Sequence, residues 1–237
     1  MATRYAVVEL ETTESTQDEA RERYDGSEPI LVTAGHQTAG RGRLGREWLE
    51  PDSALFASLA FEPAWPIEAW SLIPLAAGLA ARSAIDGVAG VTVGLRWPND
   101  LVIHGGKIGG LLAESGDGIV VVGCGINLRW DKPIAGGTAL YEIDPGSEIP
   151  GALATGWADQ LLASMALHPD EWAIDDYRNA CVTIGRPVSY AAGSGTAVAV
   201  SEEGSLLVET VDGIIAVHSG EVRLHDRATL PTDPRRN

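Results

Sequence analysis

Short apolar runs bounded by turn residues predict strands over residues 5–10, 30–37 (Ile-Leu-Val-Thr-Ala-Gly-His-Gln) and Leu55–Phe61. Thr16 followed by Glu19 is a capping-box pattern that opens a helix running to about Tyr24. Residues 67–86 carry alanine, leucine and isoleucine densely enough for a largely buried helix, with Pro74 as a kink or early turn. After Gly90, strands are expected in quick succession: Val91–Trp97, Leu101–His104, Lys107–Ser115 and Ile119–Leu128. The punctuation between them, Pro98-Asn99-Asp100, Gly105-Gly106 and Gly116-Asp117-Gly118, is that of an antiparallel meander. Residues 150–167 and 169–180 read as two helices.

The texture changes at Gly185. Pro187–Tyr190, Ala197–Val200, Leu206–Val211 and Ile214–Val217 are short strands, with turns at Gly193-Ser194-Gly195, Glu203-Gly204 and Asp212-Gly213. They predict a small β-barrel of about 40 residues. The pattern as a whole gives an α+β fold: a mixed, mainly antiparallel sheet packed with helices over 1–184, a small barrel over 185–225, and a flexible tail over 226–237.

Composition narrows the function classes. The chain has 237 residues, 45% hydrophobic and 21% charged, which is globular usage. The net charge of -16 disfavours contact with a phosphate backbone, so no nucleic-acid partner is expected. Lys107 and Lys132 are the only lysines. The two cysteines, Cys124 and Cys181, read as packing residues of a reducing compartment. The longest apolar stretches, around 72–81 and 119–128, are shorter than a bilayer span of about 30 Å, and the first residues do not read as a signal peptide. The expectation is a cytoplasmic protein without a membrane partner.

Candidate chemistry concentrates in the loop Thr38–Pro51. Within Gln37-Thr-Ala-Gly40-Arg41-Gly42-Arg43-Leu44-Gly45-Arg46-Glu47-Trp48, three of the 17 basic residues fall in six positions of an otherwise acidic chain. Glycines permit close backbone approach, and arginine forks bind carboxylate or phosphate through paired hydrogen bonds. Anion binding is therefore preferred to a solvated charge run. Gly40, Gly42 and Gly45 also spell the dinucleotide-binding G-x-G-x-x-G, but that motif must open a helix, and here Pro51-Asp-Ser and a strand follow. Two more segments are weaker singly. Arg96-Trp97-Pro98-Asn99-Asp100 puts a carboxylate after a turn, beside Lys107-Ile-Gly-Gly110-Leu-Leu112. Alone, Lys107 reads as a solvated edge charge. Gly123-Cys-Gly125-Ile-Asn127 ends a strand, where close strand packing explains the glycines.

These segments, with Glu14-Ser15-Thr16-Gln17 before them, occur in the order and spacing of the biotin protein ligase family, which the chain resembles over about residues 5–225. Gly185-Arg-Pro-Val188 and Gly220-Glu-Val-Arg-Leu224 extend the resemblance into the barrel, which would be SH3-like. It implies the form without an N-terminal DNA-binding domain. It further implies formation of biotinyl-5′-adenylate from biotin and ATP, then transfer of biotin to a lysine on the biotin carboxyl carrier domain of a carboxylase. ATP and Mg2+ would be required, and a homodimer is left open.

By the same resemblance, Ser15, Thr16, Gln17, Gln37, Gly40, Arg41, Gly42, Arg43, Lys107, Gly110, Leu112, Gly123 and Gly125 would form the biotin pocket. Arg43, Arg46, Trp48, Arg96, Asn99, Asp100 and Asn127 would serve ATP, with Asp100 the candidate carboxylate on the magnesium side. Lys107, Arg43 and Asp100 would carry catalysis. The chemistry agrees: a carboxylate approaching an α-phosphate needs positive charge and alignment rather than a base or nucleophile. Two positions depart from the family pattern, Arg96 where lysine is common and Gln17 where asparagine is frequent. Alternatives are a lipoate or octanoate ligase or transferase of the same fold, and a biotin-binding regulator without turnover.

Overall fold

The structure, a computed structural model, describes residues 5–218 and 222–225. The tail expected over 226–237 and the start of the Gly220–Leu224 motif lie outside the described residues.

Seven strands build the large sheet: β1 (Ala6–Thr13), β2 (Ile30–Gln37), β3 (Ser53–Phe61), β4 (Gly94–Arg96), β5 (Asp100–Ile103), β6 (Gly106–Gly116) and β7 (Ile119–Arg129). Their spatial order is β1-β2-β3-β7-β6-β5-β4. Only β1 and β2 pair in parallel, joined by helix α1 (Thr16–Arg23); the other ladders are antiparallel, and β4 to β7 form the expected meander. The fourth strand is shorter than Val91–Trp97: pairing with β5 begins only at Gly94, and at the other end it stops before Trp97-Pro98, where the proline cannot donate to a ladder.

Period-two alternation sorts the two faces of this sheet. On β7, Val120, Val122, Cys124, Ile126 and Leu128 enter one core with Leu55, Ala57, Leu59 and Phe61 of β3. Helices α2 (Ile73–Ala89) and α3 (Glu148–Met165) cover that face, and the indole of the fully buried Trp157 donates to Ala77 O across the helix pair at 3.3 Å. The opposite residues, Val121, Gly123, Gly125 and Asn127, face the other side. There α1 packs Ala20 on Ile30, Val32, Ala60 and Val121 and leaves the remainder of the face open.

The predicted helix over 67–86 is a 3-10 turn (Ile67–Leu72) continuing into α2, with Pro74 in the first helical turn and a left-handed Gly90 closing the end. Together Ile67–Ala89 is 23 residues, long and apolar enough to cross a bilayer, whereas the sequence suggested no such run. It is the core helix of this fold, with Ile73, Leu75, Ala77, Ala81 and Ile85 buried. The helix expected over 169–180 is also divided, into a 3-10 turn (Pro169–Glu171) and α4 (Ile174–Ala180).

The C-terminal strands are β8 (Pro187–Tyr190), β9 (Gly193–Val200), β10 (Leu206–Thr210), β11 (Gly213–Val217) and β12 (Arg223–Leu224), ordered β11-β10-β9-β8-β12 with every pairing antiparallel. Gly193 to Gly195, read as a turn in the sequence, belong to β9, so β8 and β9 meet in a tighter hairpin. This small sheet is fastened to the larger one. The indole of Trp97 donates to Gly204 O at 3.0 Å, its backbone N–H donates to Thr183 Oγ1 at 2.9 Å, and Arg178 Nε reaches Val200 O at 2.7 Å. Val188, Ala197, Leu206 and Val208 join the same apolar cluster as α2 and α3.

Candidate active site

The face that α1 leaves open holds a cavity of about 680 Å³, floored by β3, β6 and β7 and walled by the start of α1, the Thr38–Pro51 loop and the Trp97–Asp100 turn. Its lining includes every residue named as a candidate in the sequence except one. Gly40 lies behind the wall, buried, where its carbonyl accepts the Trp48 N–H at 2.9 Å. A Cβ there would come within 3.1 Å of the Gln37 amide nitrogen.

The glycine-arginine loop is more ordered than its lack of period suggests. Arg41 and Glu47 pair as an antiparallel bridge, Gly42 N–H donates to Arg46 O at 2.7 Å, and Arg43–Gly45 form a 3-10 turn at the tip. Leu44 (φ 59°) and Gly45 (φ 70°) make the reversal in left-handed backbone, which costs glycine little and leucine more. The segment is a short flap that leads into β3, not into the helix a dinucleotide motif needs.

One end of the cavity is a network of amides and hydroxyls. Thr16 donates to Gln37 Oε1 from its backbone nitrogen (2.8 Å) and its hydroxyl (3.1 Å), and that hydroxyl lies 2.9 Å from Ser58 Oγ. Gln17 Nε2 donates to the carbonyls of Val121 (2.9 Å) and Leu112 (3.2 Å), while its Oε1 accepts from Ser58 at 3.2 Å. A Cβ on Gly123 would sit 2.7 Å from that Oε1, so the glycine makes room for the amide. Thr16, Gln17 and Ser58 are all buried, and buried polar groups require such partners.

The other end is aromatic and cationic. The Trp48 indole lies on the backbone of Gly125, where a Cβ would approach two ring carbons at 2.9 Å. Lys107 Nζ stands 5.9 Å from the Trp48 ring centroid, within cation–π range, and 2.6 Å from Asp100 Oδ1. Arg96 reaches the other Asp100 oxygen at 4.0 Å. Arg43 donates to Asn99 Oδ1 at 3.0 Å, and Asn99 Nδ2 donates to Leu111 O at 2.8 Å, so this flap arginine rests on a neutral amide. Trp48 Nε1, Arg96 Nε and Asn127 Oδ1 are buried without a protein partner, which suits a site that receives polar groups from a ligand.

Lys107 stands at the aromatic end beside Gly110: a Cβ on that glycine would be 3.3 Å from Nζ. Arg46 is exposed on the rim. Cys124 contributes to the cavity floor from a fully buried position that pushes its thiol far above the usual range, so it supplies no thiolate. Among the described residues, no group of three or more His, Cys, Asp or Glu is placed to hold a metal by itself.

Comparison with known proteins matches residues 9–131 to the Biotin/lipoate A/B protein ligase family and residues 183–224 to the Biotin protein ligase C terminal domain. A Biotin--[acetyl-CoA-carboxylase] ligase of Mycobacterium tuberculosis is 31% identical over 209 residues, covering 81% of this chain and 78% of that protein.

The chain belongs to the biotin protein ligase family.

A family member from Paracoccus denitrificans, of the same description, is 30% identical and covers 90% of this chain and 98% of its own length. Among solved structures of the family, the Aquifex aeolicus biotin protein ligase in complex with biotin and ATP has a TM-score of 0.77 at 27% identity, over 93% of this chain and 98% of that one. The fold expected from the sequence is thus the family fold.

Some lining residues of this member carried no signal that the sequence reading used. Trp130, Ile134, Ala135, Gly136 and Gly137 bring in the loop after β7, tied down where Lys107 N–H donates to Gly136 O at 2.8 Å and Asn127 Nδ2 to Thr138 O at 2.9 Å. Val222, Arg223 and Leu224 extend the small sheet to the cavity's edge. Ser58 could have been found: it is a hydroxyl inside the apolar run Leu55–Phe61, on the face where alternation places the cavity.

Proposed function

We infer that this protein activates biotin with ATP to biotinyl-5′-adenylate and transfers the biotinyl group to a lysine of a carboxylase carrier domain. The observation that carries this reading is one cavity with a buried, hydrogen-bonding end and an aromatic end, where Lys107 stands beside Trp48 and Asp100 and where, among the described residues, Trp48 Nε1, Arg96 Nε and Asn127 Oδ1 have no protein partner. The first end suits a compact ring system with polar edges, and the second suits a nucleotide.

In the first step a biotin carboxylate oxygen bonds to the α-phosphorus of ATP, and the bond to the β-phosphate oxygen breaks to release pyrophosphate. Both reactants are anions, so the groups of value are cations fixed before the reaction. Lys107 beside Trp48 and Arg43 on the flap are assigned that role, with Trp48, Asn127 and Arg96 on the nucleotide side. Thr16, Gln17, Gln37 and Ser58 align the ring end, and the flap excludes water from the mixed anhydride. In the second step the carrier amine attacks the biotinyl carbonyl carbon, an amide forms, and AMP leaves.

Asp100, beside Lys107 in the cavity lining, is the carboxylate assigned to magnesium, which commonly takes one or two protein carboxylates with substrate phosphates and waters. Bound there, the ion would neutralise phosphate charge. We assign the chemistry to the unit 1–184, with 185–225 completing its edge, and a cytoplasmic site of action, which suits two free cysteines.

The test is pyrophosphate release by the purified protein with MgATP and either biotin or lipoate. Release with biotin alone is expected. Release with lipoate alone would move the chain to the lipoate branch, and tight biotin binding without pyrophosphate would make it a regulator.

A further inference from the structure

Arg41 on the flap is already held by two carboxylates. Its guanidinium forms a paired contact with Asp18 on α1, Nη1 to Oδ2 at 2.6 Å and Nη2 to Oδ1 at 2.5 Å. Nη1 also donates to Ser15 Oγ at 3.2 Å, and Nη2 to Glu114 Oε2 on β6 at 3.3 Å. Two carboxylates therefore face one guanidinium. The Arg41 charge is spent on the protein, and little of it remains for an incoming anion.

We propose that Asp18, assisted by Glu114, is a positioning residue that uses Arg41 to latch the first half of the flap onto the start of α1. The latch joins three segments distant in sequence: the turn Ser15-Thr16-Gln17, the flap Gly40-Arg41-Gly42 and the β6 strand. Those segments line the cavity, so the latch fixes their mutual geometry. Arg41 holds the Asp18 carboxyl below the usual carboxylate range, and its own affinity for a proton is raised in return. The two-pronged fork separates this pair from an ordinary surface ion pair. It adds a side-chain tie to the backbone bonds Thr38 N–H to Thr13 O and Ala39 N–H to Glu14 O, both 2.9 Å, that bring the start of the flap to the turn before α1. The latch holds geometry and does not touch the reacting atoms, so its effect belongs in biotin capture rather than in the chemical step.

The inference rests on the biotin–ATP reading, and its test includes the unsubstituted protein. Steady-state pyrophosphate release is measured while biotin and ATP are varied separately, for the parent, Asp18→Asn, Asp18→Glu and Glu114→Gln. Asp18 is half exposed, so the fold should tolerate these changes, and the unfolding midpoint of each variant is checked. Asp18→Asn should raise KM for biotin about 10-fold with kcat and KM for ATP within about twofold, a loss of order 1.4 kcal/mol. Asp18→Glu should recover part of that loss, and Glu114→Gln should give a smaller increase in the same constant. An unchanged KM for biotin in Asp18→Asn, or a loss carried by kcat or shared equally by ATP, overturns the latch. An inactive parent protein would instead overturn the functional reading on which it stands.

Discussion

Lys107 Nζ lies 2.6 Å from Asp100 Oδ1 and 5.9 Å from the centre of the Trp48 ring. The lysine is thus held by a carboxylate and an aromatic face inside the cavity. On the proposed reading Lys107 is the principal fixed cation of the adenylation step. Lys107→Ala should lower adenylate formation by about 10²-fold or more, since preorganised charge at a developing anion is worth several kcal/mol. Pyrophosphate release under saturating biotin and ATP checks this, and an undiminished rate would remove Lys107 from the mechanism.

The two glycines of β7 that face the cavity should separate the substrates. A Cβ on Gly123 collides with Gln17 Oε1, whereas one on Gly125 collides with the Trp48 ring. Gly123→Ala should raise KM for biotin about 10-fold and leave ATP little changed, through loss of one buried hydrogen-bond alignment. Gly125→Ala should do the reverse. Separate saturation curves for each substrate read both effects, and an identical profile for the two variants would contradict the division of the cavity.

Arg43 leaves the flap tip to reach Asn99, which is itself fixed on Leu111 O. Removing that tether in Arg43→Gly should speed escape of the adenylate, which reacts with amines in solution. The expected result is biotin on bystander proteins mixed with the enzyme, detected by avidin blotting. Labelling confined to the carrier in this variant would contradict the retaining role.

Trp97 connects the two sheets through its indole N–H to Gly204 O, in a buried setting. Trp97→Phe deletes that donor and orphans the carbonyl, at a cost of about 1–2 kcal/mol. Thermal unfolding should show a decrease of a few degrees in Tm. No change would mean that this hydrogen bond adds nothing to the apolar contacts and the Arg178–Val200 bond that also hold the small sheet.

Much of the architecture was legible because alternation and turn residues are local signals. The meander from β4 to β7 followed from Gly105-Gly106 and Gly116-Asp117-Gly118. Helix α1 starts at Thr16 as expected, but no capping box forms: Ser15 is the N-cap without a side-chain cap bond, the Thr16 hydroxyl turns to Gln37 and Ser58, and Glu19 accepts from Thr13. Element ends were less legible: β4 begins only at Gly94, and the stretch 169–180 divides at Trp172-Ala173. The flap was found because glycine and arginine are conspicuous in an acidic chain, whereas the other candidate cavity residues, such as Thr16, Gln17, Lys107 and Asn127, were named through the resemblance to the biotin protein ligase family. Asp18 and Glu114 escaped notice because acidic residues are abundant, and only the fold brings them to one guanidinium. The loop 130–137 escaped for a similar reason, since its link to Lys107 is a backbone contact without a side-chain signature.

The most direct measurement is intact-mass analysis of a purified carboxylase carrier domain incubated with this protein, biotin, ATP and magnesium. The account predicts one added biotinyl group, located on a single lysine, with one AMP and one pyrophosphate released for each. A well-folded protein that leaves several such carriers unmodified and releases no pyrophosphate would contradict it.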